Sequence, residues 1–223
     1  MPENNVSHNN QKKIAAINDY SGFGRCSIAV ELPVISAMKI QCCPMPTSIF
    51  SNHTGFDSFY FKDFTENMPP YMAEWKKLNL KFDGIVTGFL GSHNQIAIVE
   101  EFFKNFKTED NIVVIDPVMG DYGNLYPTYT DETCQEMKKL VKYADILTPN
   151  LTEACMAEAS CANSLSLRMS HTDQIILMMS LRKLQRNLLQ WDHPRLLLQE
   201  SSGAIILVIT VTKRTGKTIL LRL

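Results

Sequence analysis

Short apolar runs alternate with longer amphipathic stretches along most of this chain, and nearly every run ends on polar residues, Gly or Pro. The runs at 13–18, 47–50, 84–87, 112–115 and 145–147 are too short for helices, which predicts strands buried on both faces of a parallel sheet. Between them the apolar positions recur at helical spacing. Ile28, Leu32 and Ile35 predict a helix over 25–38 with a kink at Pro33, and further helices are predicted around 70–78, 95–106 and 131–143. Phe102, Phe103 and Phe106 share one face of the third of these and read as core. This alternation predicts an α/β fold: a three-layer, Rossmann-like parallel sheet flanked by helices.

The candidate chemistry lies at the strand ends. The run 112–115 stops on Asp116, and a second acid, Asp121, follows after Pro-Val-Met-Gly. Asp116 is therefore placed at the carboxyl edge of its strand, where open α/β sheets bind ligands. Two carboxylates presented there, with Gly120 letting the backbone turn back, suit Mg²⁺ and the phosphates it carries. The plainer reading of a single such Asp is a cap on the following turn.

Composition adds limits rather than chemistry. A chain of 223 residues with 45% apolar content and a formal charge of -1 is an ordinary globular protein of one domain or a large part of one. Its charge gives no reason to expect nucleic acid or an anionic membrane as partner. The six cysteines show neither Cys-x-x-Cys nor paired-His spacing, which predicts buried or incidental thiols in a reducing, cytoplasmic setting rather than zinc. Residues 1–11 are polar and Asn-rich, without the apolar core of a signal peptide, and read as a disordered lead-in; no run has the length of a membrane span. Arg214-Thr215-Gly216-Lys217-Thr218 resembles the end of a P-loop, but Val211 stands where that motif needs Gly, so no nucleotide site is assigned there.

Five segments in order make the chain recognisable. They are Asn18-Asp19-Tyr20-Ser21-Gly22-Phe23-Gly24; Pro46-Thr47 through Ser51-Asn52-His53-Thr54-Gly55; Thr87-Gly88-Phe89-Leu90-Gly91-Ser92; Asp116 to Asp121; and Thr148-Pro149-Asn150-Leu151-Thr152-Glu153. Together they resemble the pyridoxal kinases of the ribokinase-like superfamily, from about residue 13 to 155. The resemblance implies ATP-dependent phosphorylation of the 5′-hydroxymethyl of pyridoxal, pyridoxine or pyridoxamine, with homodimers as the usual assembly. It implies that Asp116, Asp121 and Glu153 hold Mg²⁺ directly or through water, with Thr148 and Asn150 as neutral oxygen donors, a set that also suits K⁺. It further implies that Asp19, Thr47, Thr54 and Phe89 face the pyridine ring, Phe89 standing where many members carry Tyr. Plainer roles stand beside these: His53 as a packed, hydrogen-bonded side chain, Glu153 as a first-turn acid favoured by the helix dipole, and Thr47 as a β-branched strand residue.

After Met156 the resemblance stops. The family's Gly-x-Gly-Asp loop, whose Asp is the base for the substrate hydroxyl, occurs nowhere in the chain, so no catalytic base is assigned. Codon arithmetic offers a cause. If each codon began one base earlier, Trp191 (TGG) with Asp192 would force GGA, glycine. Continued through Ser201, the tail can encode Gly-Pro-Ser-Lys-Val-Val-Ile-Thr-Gly-Ile, preceded by an amphipathic helix over 180–191. The expectation is that 12–156 form the first part of a C-terminally truncated kinase domain and that 157–223 are read out of frame, with the shift between Met156 and Asp173. The alternatives are a hydroxymethylpyrimidine kinase of the same superfamily, or a non-enzymatic remnant.

Overall fold

The computed structural model describes residues 11–121, 123–126, 129–150, 152–153, 195–198 and 207–209. The expected lead-in over 1–10 and most of the 157–223 tail lie outside the described residues.

The alternation of apolar runs becomes an eight-stranded sheet of order β10-β9-β8-β5-β4-β1-β2-β3. The central strands are β1 (Lys13–Ser21), β2 (Gln41–Phe50), β4 (Gly84–Thr87), β5 (Ile112–Ile115) and β8 (Ile146–Leu147), all paired in parallel. One edge is closed by β3 (Phe61–Asp63), antiparallel to β2. At the other edge β9 (Arg195–Leu198) runs parallel to β8, and β10 (Leu207–Ile209) runs back along it. The apolar run at 196–198 carries no periodicity that separates strand from helix, so the sequence reading left it without a pattern. Its position coincides with the Lys-Val-Val-Ile of the shifted reading.

Four helices complete the described residues: α1 (Ile28–Ala37), α2 (Met68–Lys77), α3 (His93–Phe106) and α4 (Asp131–Val141). Thr130 caps α4, its hydroxyl accepting from the Thr133 N–H at 3.2 Å. Among the described residues no helix is long and apolar enough to cross a membrane.

Strand alternation divides the sheet into two unequal faces. Ala15, Ile17, Ile85, Val113, Ile115 and Leu147 form one core with the side chains of α2, α3 and α4. Phe102 and Phe103 are fully buried there, as expected, and Trp75, Phe82 and Phe106 pack around Phe102 as a ring cluster. Among the described residues the opposite face carries α1, over β1 and β2. Hence Val86, Val114 and Ile146, in register on that face, are half-buried, and Ile112 is 53% exposed. The helix predicted from the spacing of Ile28, Leu32 and Ile35 forms as α1, and only part of its apolar face is covered. Ile28 is buried, but Leu32 and Val34 are exposed because no described element lies over them.

Removing the ring at the centre of the larger core leaves a hole its neighbours cannot fill. Phe102→Ala is expected to lower unfolding stability by about 3–5 kcal/mol, read as a shifted urea midpoint. A loss below about 1 kcal/mol would mean that the α3 face is not packed as described.

Candidate active site

Every central strand delivers polar residues to the same edge, because parallel strands all end on one side of the sheet. Asp116 follows β5 directly, its N–H donating to the Thr87 carbonyl at 3.0 Å, and the Thr148 N–H after β8 donates to Ile115 at 3.1 Å. The Thr148 side chain hydrogen-bonds the Asp116 carboxylate. This is the strand-edge position the sequence predicted for Asp116.

The Asp-Pro-Val-Met-Gly-Asp segment then turns into a small hairpin, β6 (Gly120–Asp121) and β7 (Asn124–Leu125). The turn belongs to Gly123, at φ 80°, rather than to Gly120 as the sequence suggested. Gly120 matters for a different reason: a Cβ there would lie 2.1 Å from the Asn124 carbonyl oxygen.

Asn150 and Glu153 form a reciprocal cap on the turn that begins at Thr152. The Asn150 N–H donates to Glu153 Oε2 at 2.8 Å, and the Glu153 N–H donates to Asn150 Oδ1 at 3.0 Å. The box also grips the hairpin. Glu153 Oε1 accepts from the Met119 N–H at 3.1 Å, Asn150 Nδ2 donates to the Gly120 carbonyl at 2.8 Å, and the Gly123 N–H donates to Thr152 Oγ1 at 2.9 Å. Glu153 is thus the first-turn acid of the plainer reading, and it is buried beside the paired-acid segment as well.

A second polar group lines the ends of β1 and β4. Asp19 is buried, with Ser27 Oγ donating to one of its oxygens and Ser21 Oγ to the other. Ser27 adopts φ 50°, ψ -137°, a strained conformation for a residue with a Cβ, at the start of α1. Thr47 is fully buried and its hydroxyl donates to the Phe89 carbonyl at 2.8 Å, so its donor is committed to the protein. Phe89 sits between Phe50 and Tyr129, with ring centroids 5.9 and 6.2 Å away.

Thr54 stands apart, exposed on the 51–60 loop. That loop is bonded to the one after β1: the Phe23 N–H donates to Ser51 and the His53 N–H to Phe23, and Phe23 and Phe56 pair at 5.5 Å. Between them lies an open cleft of about 440 Å³ lined by Phe23, Ser51, Asn52, Phe56, Asp57 and Ser58. His53 is hydrogen-bonded as expected, Nδ1 accepting from the Gly55 N–H at 3.0 Å, but it is exposed rather than packed.

Two residues without a role in the sequence reading bind these parts together. Asn18 Oδ1 accepts from the Asp19 N–H at 3.0 Å and the Phe89 N–H at 2.8 Å, while Asn18 Nδ2 donates to Glu31 Oε1 at 3.0 Å. The signal was present for Glu31 alone, an isolated acid in the apolar stretch Ile28 to Ile35. Asn18 stands at the head of the first motif segment, but its partners are 13 and 71 residues away and spacing does not point to them.

Burial dominates the electrostatics. Asp116 is pushed up to about 7 by loss of solvent, then by Glu31, against the Thr148 hydrogen bond. Glu153 is pushed up to about 8 by burial, then by Asp116, against three backbone N–H groups. Asp19 and Glu31 are raised for the same leading reason. Among the described residues no three His, Cys, Asp or Glu side chains converge on a point that could hold an ion. The set expected to hold a cation, directly or through water, is Asp116, Asp121 and Glu153. Its donors are nevertheless all oxygen, and its two buried carboxylates repel each other, so a hydrated hard cation beside them fits.

These shifts fix a pH dependence. The folded chain keeps protons on Asp116 and Glu153 at pH values where an unfolded chain, titrating near 3.8 and 4.5, has lost them. The stabilisation is complete below the unfolded values and is lost as pH rises through the folded ones. The slope is about 1.4 kcal/mol per pH unit for each extra proton held. The Tm of the ligand-free chain is expected to fall between about pH 5 and pH 8, and less steeply in Asp116→Asn. A Tm that rises over that window would contradict the burial of these acids.

Known proteins share this fold. The family described as phosphomethylpyrimidine kinase matches residues 30–183, reaching past the point where the motif resemblance ends. A pyridoxal kinase of Arabidopsis thaliana is 33% identical over 116 residues, covering 50% of this chain and 37% of that protein. Among solved structures, a protein of Bacteroides thetaiotaomicron described as a phosphomethylpyrimidine kinase is 41% identical, with TM-score 0.71, covering 86% of this chain and 63% of its own. A second crystal form of it, with pyridoxal, has TM-score 0.70. A pyridoxal kinase of Leishmania donovani in complex with ADP and pyridoxamine, 19% identical with TM-score 0.62 over 78% of this chain and 61% of that one, shares the fold. The chain thus spans little more than a third of the Arabidopsis relative it matches. A family match over more than two thirds of its length, on a parallel sheet with acids at its carboxyl edge, makes the chain a member of the phosphomethylpyrimidine kinase family, the ribokinase-like group to which pyridoxal kinases belong.

Proposed function

We propose that the protein is a pyridoxal kinase-type phosphotransferase, moving the ATP γ-phosphoryl group to the 5′-hydroxymethyl of a B6 vitamer, and that the 223-residue chain carries only the first part of that machinery. The observation that carries the reading is the pair of polar groups at one sheet edge. The Asn18, Asp19 and Phe89 network lies at β1 and β4, and the Asp116, Asn150 and Glu153 network lies at β5 and β8. The pyridoxal-bound form of the 41% identical Bacteroides protein supports the same choice.

In this reading Asp19, Thr47, Thr54 and Phe89 surround the vitamer ring. Thr47 does so by fixing the Phe89 backbone, and Thr54 by its place on the loop over the site. Asp116, Asp121 and Glu153 hold the cation shell through water, with Thr148 and Asn150 beside them, for Mg²⁺ and for K⁺. Bound Mg²⁺ would supply charge neutralisation of the triphosphate, the main requirement of phosphoryl transfer. The chain's own share is to hold these oxygens in a buried, preorganised frame. The homodimer implied by the resemblance belongs to the same proposal. So does the frame shift between Met156 and Asp173, which removes the Gly-x-Gly-Asp loop and with it the base for the substrate hydroxyl.

The description of the matching family keeps hydroxymethylpyrimidine as a second substrate to assay. Loss of even one donor of a preorganised anion site costs about 100- to 1000-fold in rate, so the 223-residue chain is expected to form no measurable pyridoxal 5′-phosphate. A version with the frame restored after Met156 is expected to form it, with pyridoxal preferred over hydroxymethylpyrimidine. Comparable turnover by both chains would make the tail a working replacement and end the frame-shift reading, and a preference for hydroxymethylpyrimidine would move the substrate assignment.

The metal assignment has its own test. In the frame-restored protein Asp121→Ala is expected to lower Mg²⁺-dependent turnover by orders of magnitude while circular dichroism stays unchanged. Unaltered turnover at limiting Mg²⁺ would remove Asp121 from the cation shell.

A further inference from the structure

We propose that Glu31 and Asn18 act as a positioning pair that sets the vitamer wall formed by Asp19 and Phe89, a proposal that rests on the pyridoxal reading for the identity of the ligand. The wall needs such a device. Phe89 lies beyond the end of β4, yet both of its backbone groups are bonded to side chains: its N–H donates to Asn18 Oδ1 and its carbonyl accepts from Thr47 Oγ1. Its place is thus set by side-chain orientation rather than by the strand ladder.

Asn18 can do this in only one of its two amide orientations. Its oxygen faces two donors, the N–H groups of Asp19 and Phe89; turned over, its NH₂ would face both. The amide is buried and lies against Gly88, where an added Cβ would be 2.3 Å from Nδ2. Glu31 Oε1, accepting from Nδ2, holds the productive orientation. Ser27 and Glu31 are four residues apart in the first turn of α1 and so share a helix face. From that face Ser27 grips the Asp19 carboxylate and Glu31 grips the amide of the preceding residue.

Glu31 is poorly suited to being there for stability. Its Oε2 is buried with no hydrogen-bond partner, and an unsatisfied carboxylate oxygen in an otherwise apolar helix is a cost. A side chain selected for packing alone at this place would be apolar.

The test separates positioning from charge and from folding. In the ligand-free 223-residue chain, Glu31→Leu is expected to speed amide hydrogen exchange at Phe89 and Asp19 by about tenfold, since a hydrogen bond to a charged acceptor is lost. Exchange at core amides such as Val113 is expected to stay unchanged, and Glu31→Gln, which keeps the acceptor and drops the charge, is expected to stay near wild type. Glu31→Ala reads the same loss without added bulk if the leucine is not tolerated. Calorimetric titration with pyridoxal is expected to show about tenfold weaker binding in Glu31→Leu, with rescue in Glu31→Gln and no change for ADP. Unmoved exchange at Phe89, or equal effects of Leu and Gln, would overturn the positioning role. No pyridoxal binding by the wild-type chain, with the exchange pattern as expected, would instead count against the pyridoxal reading and leave the pair in place.

Discussion

A carboxylate taken out of water must be hydrogen-bonded, paired or protonated, and this fold takes four of them, Asp19, Glu31, Asp116 and Glu153, to the carboxyl edge of one sheet. Much of the local structure answers that constraint. Ser21 and Ser27 satisfy Asp19, Thr148 satisfies Asp116, and three backbone N–H groups converge on Glu153. The hairpin after Asp116 and the cap at Asn150 are held to each other through Glu153, so one side chain fixes both.

Buried strands with Gly or Pro at their ends were legible residue by residue: β4 and β5 have the predicted bounds. The edge strand β3 and the hairpin of β6 and β7 were not, since runs of two or three residues carry no periodicity. For α1 the period was legible and the burial was not, because spacing reports which residues share a face and not whether anything covers it. The same limit applies at the site. Asp116 stood out by type and position and Asp19 by the resemblance of its segment, whereas Asn18 and Glu31 owe their importance to contacts that exist only once β1, α1 and the segment after β4 have met. Thr47 shows the converse, a motif residue whose hydroxyl donates to the protein's own backbone.

The uneven covering of the sheet bears on the length of the chain. One face is closed by α2, α3 and α4 into a ring-rich core, while the other has α1 at one end and half-buried valine and isoleucine side chains along β4, β5 and β8. A chain spanning 63% of its Bacteroides neighbour is consistent with such a partly clothed sheet. Among the described residues the motif-bearing half is well packed on the side of α2, α3 and α4.

The central place of β1 has a consequence for synthesis. Strand β1 is flanked by β2 on one side and β4 on the other, and Lys12 and Asn18 each find a partner 71 residues later. At about 5–20 residues per second, that separation corresponds to roughly 4–14 s during which one edge of β1 has no native neighbour. The nascent chain passes through that interval with the apolar segment Ile14 to Ile17 unpaired on one side.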